Sequence, residues 1–223
     1  MDTQKRIIVW FSAGLVVVIA TIGAYQVATG PRAELARKDG TKSLALDQTD
    51  WTKGSKEPKA TLVEYSDFQC PACGAYYPLI EETFAEYKDK ISFTYRHFPL
   101  PNHKNALPAA YAGEAAGNQG KFWEMADMIF KNQTEWSEST TAVAIFEGYA
   151  QKLGLDMSQY KTDVKSDAVK TRVNRDLQSG KTSSINQTPT FFLNGKKIQN
   201  PRSKEELKSL IENAIANLDR ENK

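Results

Sequence analysis

The distribution of apolar positions divides the chain into three stretches. From Ile7 to Ala28 there are 22 consecutive positions without a charge. At about 1.5 Å per residue a helix of that length spans roughly 33 Å, matching a hydrocarbon core of about 30 Å. From 29 to 57 the chain is studded with Arg, Lys, Asp and Glu after the helix-breaking Gly30-Pro31, and reads as a solvated tether. Within it Ser43-Leu44-Ala45-Leu46 alternates weakly, as a short edge strand would. Beyond Pro58 the pattern becomes that of a folded domain. Ala60–Ser66 is rich in strand formers and predicts a buried strand. A helix is expected from Cys70-Pro71 to about Lys88, with Pro tolerated in the first turn. Ile91–Arg96 alternates and predicts a second strand, so the unit is a strand–helix–strand crossover between parallel strands.

Between Ala106 and about Ser184 no strand pattern occurs. Ala106–Gln119 is Ala-rich, and Phe122, Met125, Ala126, Ile129 and Phe130 form a helical stripe. Val143, Phe146, Ala150 and Leu153 form another within Thr140–Leu153, stopped by Gly154. Ser158–Val164 and Asp167–Ser179 read as further short helices. Strand character returns at Thr190–Leu193. Asn194-Gly195 is a type I′ hairpin signal, and Lys196–Ile198 is the return strand. Ser203 with Glu206 makes a capping box before a last helix whose Leu207, Leu210, Ile211, Ala214, Ile215 and Leu218 share a face. The order is β-α-β, helical insert, β-β-α. This is the plan of an α/β thioredoxin fold with an inserted helical subdomain, preceded by a membrane helix. Its expected parts are a cytoplasmic terminus at 1–6, an anchor at 7–28, a tether at 29–57, a core at 58–104 and 185–219, and an insert at 105–184.

Charge adds a direction. Lys5 and Arg6 precede the apolar run, and basic residues stay cytoplasmic, so the bulk of the chain is expected outside the membrane. A cleaved signal peptide is the alternative, with cleavage after Gly23 or Ala24, although the run exceeds the usual signal length and lacks Ala-x-Ala. The formal net charge of +2 gives no sign of nucleic-acid binding. At 40% hydrophobic and 25% charged residues, the composition excludes general disorder.

The chain has only two Cys, too few for a disulfide scaffold. Cys70-Pro71-Ala72-Cys73 lies where a strand hands over to a helix. Two Cys three apart in a first helical turn share a face, within reach of a disulfide. Cys70 meets the positive end of the helix dipole, which favours thiolate, so it is the expected nucleophile and Cys73 the resolving thiol. Three other readings compete. A zinc site lacks further ligands, since His97 and His103 have no finger spacing. A structural disulfide closing so short a loop stabilises little. Incidental thiols fit poorly in an oxidising setting. No metal is expected, because Glu81, Glu82, Asp156 and Asp163 lack EF-hand spacing and read as solvated. His97 reads as a packed or hydrogen-bonded residue, His103 as a loop residue, and Phe122, Trp123, Tyr76 and Tyr77 as packing.

The motif Asp67-Phe68-Gln69-Cys70-Pro71-Ala72-Cys73, with Thr188-Pro189-Thr190 downstream, resembles the DsbA-like thiol–disulfide oxidoreductases of the thioredoxin superfamily, in particular their membrane-tethered bacterial branch. The similarity runs from about Asp50 to Leu218 and includes Tyr95–Leu100 and Phe122–Met125. The resemblance implies Cys70 as exposed nucleophile and Cys73 as buried partner. It implies Pro189 as a cis-proline opposite the pair, with Thr188 presenting backbone to an extended substrate beside Pro71 and Ala72. Glu64, six residues before Cys70, stands where the family often keeps a buried acid able to relay the proton of Cys73. Simple alternation would instead turn Glu64 to solvent. Ala72 stands where the best-known member of the branch has His, and a methyl group cannot stabilise a thiolate as an imidazolium does.

The function these features imply is an extracytoplasmic, single-pass disulfide oxidase of exported proteins carrying reduced cysteines. It would need no cofactor beyond its own dithiol. The implied re-oxidant is a quinone-linked membrane protein of the DsbB or vitamin K epoxide reductase type. The rivals are a reductase or isomerase, and a peptide-binding or chaperone-like module in which the cysteines are incidental.

Overall fold

The computed structural model describes Leu44 and residues 46–221. The predicted anchor at 7–28 lies outside those residues. Among the described residues no helix is long and apolar enough to cross a membrane. The chain divides into units 1–40 and 41–223, and the second carries the whole sheet and both cysteines.

The sheet has five strands: β1 (Trp51–Gly54), β2 (Ala60–Ser66), β3 (Ile91–His97), β4 (Thr190–Leu193) and β5 (Lys196–Lys197). Their order across the sheet is β1-β3-β2-β4-β5. β2 and β3 are parallel, as the crossover requires, and the other neighbours are antiparallel. Eight helices are assigned among the described residues. α1 (Pro71–Tyr87) is the crossover, and α2 (Ala106–Gly117), α3 (Phe122–Lys131), α4 (Gln133–Trp136), α5 (Ala142–Lys152), α6 (Met157–Asp163) and α7 (Asp167–Thr182) form the insert. α8 (Lys204–Glu221) closes the chain.

β2 is central and covered on both faces, which explains its run of buried residues. Leu62, Phe93, Phe191 and Leu193 pack with Ile80 of α1 and Leu207 and Ile211 of α8. Val63, Tyr65 and Phe192 face the other way, onto Phe98, Ile185 and Leu177 of α7. A third cluster joins Phe68 and both cysteines to Ala109, Phe122, Met125, Ile129 and Trp136 of the insert. Asn194 and Gly195 take φ of 49° and 75°, the left-handed pair a type I′ turn needs. Ser203 caps α8 as expected, and only the return bond of the capping box is shifted by one residue. The Glu206 N–H donates to Ser203 Oγ, but the Glu206 carboxylate accepts from the N–H of Arg202.

The tether expected over 29–57 needs correction. Residues 51–54 are a sheet strand, at the edge of the sheet; the short strand expected at 43–46 lies partly outside the described residues, of which Leu44 and Leu46 are not in a strand. Lys53-Gly54 carries a turn signal locally, yet β1 is specified from a distance. Trp51 stacks on Phe122 with centroids 4.6 Å apart, Gly54 at φ 102° fits against the carbonyl of Ile91, and Asp50 accepts two bonds from Arg96. The insert holds one element beyond those the pattern predicts, the single turn α4, and its last helix α7 is 16 residues rather than short.

Candidate functional site

Cys70 caps α1 with an extended backbone, φ −65° and ψ 121°, and the following Pro71 needs no N–H partner. Both cysteines are free thiols. The expected exposure of Cys70 is not observed. It is 6% exposed, and Cys73 is fully buried. The cover comes from the loop before β4, where the Thr188–Pro189 peptide is cis and the Cys70 thiol donates to the Thr188 carbonyl at 3.4 Å. That loop is braced at both ends: Thr190 Oγ1 donates to Gln187 O, and Asn200 Nδ2 to Pro189 O. The Thr188 hydroxyl is buried without a partner among the described residues. Thr188, Pro189, Pro71 and Ala72 thus border one sulfur.

The two thiols are driven apart in acidity. A hydrogen bond from the Cys73 thiol pulls Cys70 down to about 5, against the opposing effect of burial, with the N–H groups of Cys73 and Ala72 adding to the fall. Burial, the Cys70 bond and the charge of Glu64 push Cys73 well above the ordinary thiol range. The Asp67 N–H lies 3.5 Å from Cys73 Sγ.

Glu64 is 5% exposed, so the solvent-facing alternative does not hold. It pairs with Tyr95 on one side and Phe191 on the other, in the middle of the sheet. It shares the α1-facing side of β2 with Leu62, because side chains two apart in a strand point the same way. Burial pushes its carboxyl up to about 7, with Ser66 holding it down in part. Beside it is a cavity of about 10 Å³, lined among others by Tyr77, Glu81, Tyr95 and Trp123 and just large enough for one water molecule.

Asp67 and Gln69 fasten the motif to the rest of the molecule. The fully buried Asp67 carboxylate accepts from the N–H of Gln69 at 2.8 Å, the N–H of Leu100 at 2.9 Å and His103 Nδ1 at 2.6 Å. Gln69 donates to Ser137 O and accepts from the N–H of Asn105. His103 therefore braces the site, beyond the loop position expected of it; the partners lie 36 residues apart, where no local pattern reveals them. His97 is packed as expected, buried and bonded to Glu114. Among the described residues no three metal-ligating side chains converge.

A parallel β-α-β unit, a dithiol capping its helix, a cis-proline loop across from it and an inserted helical bundle define a thioredoxin-type redox protein. The thioredoxin family model matches residues 46–213, and the chain belongs to that family. The fold is similar to that of α-DsbA1 from Wolbachia pipientis, with a TM-score of 0.70 at 17% identity over 81% of this chain and 98% of that one. It is also similar to oxidised BdbD from Bacillus subtilis (TM-score 0.64, 22% identity, 74% and 92% covered). The catalytic domain of Proteus mirabilis ScsC matches with TM-score 0.64 at 18% identity, over 78% and 93%. Among curated proteins the chain is 34% identical over 189 residues to the Na(+)/H(+) antiporter NhaA 1 of Salinispora arenicola, covering 83% of this chain. It is 38% identical over 159 residues to the NhaA 1 antiporter of Mycolicibacterium gilvum, covering 69% of this chain. The chain spans only 28% and 25% of the length of these two relatives.

Proposed function

We propose that this thiol–disulfide oxidoreductase of the thioredoxin family donates disulfides to exported proteins. The observation that carries the direction is the setting of Cys70, where the Cys73 thiol and two helix N–H groups favour thiolate and hold its acidity at about 5. Fixed donors of this kind stabilise the dithiol over the disulfide, and a couple with a stabilised reduced form is oxidising.

In the forward step a substrate thiolate attacks Cys70 Sγ of the oxidised enzyme. The Cys70–Cys73 bond breaks, a mixed disulfide forms, and Cys73 leaves as a buried thiolate that needs a proton. Glu64 supplies it; its carboxyl, pushed up to about 7 by burial, its charge acting on Cys73 and the water-sized cavity beside it support that role. A second substrate thiolate then attacks the substrate sulfur, releasing the oxidised product and the Cys70 thiolate. Two electrons pass to the enzyme. The substrate lies extended beside Thr188, Pro189, Pro71 and Ala72, using the backbone of the cis-proline loop.

The 22-residue uncharged run preceded by Lys5 and Arg6 supports a single-pass anchor with the redox domain outside. A quinone-linked partner of the DsbB or vitamin K epoxide reductase type would take the two electrons away.

The test is the equilibrium of the Cys70–Cys73 couple with glutathione. A potential nearer about −120 mV than about −270 mV is expected. A value near the lower figure replaces the oxidase with a reductase. Retained activity of Cys70→Ser in cells would point to the peptide-binding module.

A further inference from the structure

Among the contacts between the insert and the cysteine motif, one side chain bonds the backbone on which Cys70 sits and takes no part in the exchange steps. Gln133 begins α4, and its Nε2 donates to the carbonyl of Phe68 at 2.7 Å and to that of Cys70 at 2.9 Å. Both partners are acceptors only, so the amide can face them in one orientation alone. The Cys70 carbonyl also receives the first bond of α1, from the N–H of Gly74 at 3.1 Å. Gly74 marks the same contact from the other side. A Cβ there would lie 2.6 Å from Gln133 Oε1 and 3.0 Å from Cδ. The glycine is thus required by the amide seated against it, since its own backbone is ordinary helix.

Gln133 is itself held in place. Trp136 at the end of α4 is fully buried, with Nε1 donating to Ile129 O. Asn105 Nδ2 donates to the carbonyls of Trp136, Ser137 and Ser139, and Gln69 Nε2 to that of Ser137. The strap 133–139 therefore fixes the amide, and the amide fixes the turn 68–70 that ends in the nucleophile.

We propose that Gln133 is a positioning residue for thiol exchange, setting how well the first turn of α1 stabilises the Cys70 thiolate. Its N–H groups place partial positive charge beside the nucleophile's own peptide group and hold the cap at the angle that aims the Ala72 and Cys73 N–H groups at the sulfur. Removing them leaves the thiolate less stabilised, so the dithiol loses ground to the disulfide. This rests on the redox reading of the pair, and the experiment separates the two.

In the full chain, Gln133→Met keeps the volume and deletes the donors. The equilibrium constant with glutathione is expected to fall threefold to tenfold, a shift of up to about 30 mV toward a weaker oxidant. The titration midpoint of the Cys70 thiolate should rise alongside. A merely structural clamp would weaken the fold in both redox states and leave the potential where it was. Should Gln133→Met not fold, Gln133→Glu serves, since a carboxylate facing two carbonyls should shift the equilibrium further in the same direction. Gly74→Ala is expected to lower stability in the wild type and to be tolerated once Gln133 is cut to Ala, which tests the contact itself. An unmoved potential and thiolate titration in whichever variant folds overturns the proposal. Absence of any exchange in the wild type overturns the redox reading instead.

Discussion

Glu64 and Glu114 are both nearly sealed from solvent, at 5% and 3% exposed, yet their carboxyls move in opposite directions. Glu114 lies in an ionic cluster on the insert side of the molecule. Burial raises its pKa, but His97 Nε2 at 2.9 Å, the charge of Arg172 and Trp51 Nε1 at 2.7 Å more than offset this, and the net result is a fall. Around it Asp50 is bound by Arg96 through two nitrogens, and Asp176 by Arg172. Pairing in this cluster is uneven, since burial still leaves Asp176 raised. Among the described residues no cation is in contact with Glu64. The cation whose charge reaches it, Lys53, is committed to Glu81 at 2.6 Å and sits over the rings of Trp123 and Phe84. A buried carboxylate that is paired serves as a brace, whereas one left short of counter-charge becomes a proton reservoir near neutrality.

The sharpest way to break that division is to unpair the brace. In Arg96→Met, the buried Asp50 loses its bidentate partner and keeps the more distant Arg175 and Arg172, at 3.5 and 3.7 Å. Stripping one partner from a buried pair costs about 3–5 kcal/mol. Denaturant unfolding should show a loss of that order, with the glutathione equilibrium unchanged. A potential that moved with it would mean the cluster belongs to the site after all.

Glu64→Gln acts on the other carboxylate, and its effect depends on pH. The folded protein keeps the Glu64 proton up to about 7, whereas an ordinary glutamate releases it near 4.5. Between these values the native state binds more protons than the unfolded one, so stability falls as pH rises through the window. At about 1.4 kcal/mol per unit, the ionised form costs about 3 kcal/mol above neutrality. Unfolding followed across pH should show Glu64→Gln less pH-dependent than the wild type and more stable above pH 7. Exchange should be slower by about a hundredfold, the scale of a lost general acid, with its inflection near neutrality gone. An unaltered pH–rate profile would remove Glu64 from the proton path.

The same contrast shows what the sequence could convey. Elements with a clear period, such as α1, α3, α8 and the Asn194-Gly195 hairpin, were legible because local patterning and core packing agree. Cys70, Cys73 and Thr188-Pro189 were legible as a motif. β1 was hidden, because four residues containing Lys and Gly carry little strand signal and its stability comes from β3, Phe122 and Arg96. The single turn α4 is too short for a period. The burial of Glu64 follows from β2 being covered on both faces, which alternation along one strand does not reveal. Asp67, Gln69, His103 and Gln133 act through bonds spanning 33 to 68 residues, and only the folded chain brings those ends together.

The mildest test is made on β1. Trp51→Phe deletes the indole N–H that Glu114 accepts and keeps a ring to stack on Phe122. Glu114 retains His97, so the loss should be that of one hydrogen bond to a charged group, about 1–2 kcal/mol. Its pH dependence mirrors that of Glu64. A carboxyl held below its unfolded pKa contributes stability that is present above the unfolded value and is lost as pH falls through the folded one. The deficit of Trp51→Phe should therefore be greatest at neutral pH and shrink in acid as Glu114 gains its proton. A deficit independent of pH would show that Trp51 stabilises β1 by packing alone and that His97 and Arg172 suffice to keep Glu114 ionised.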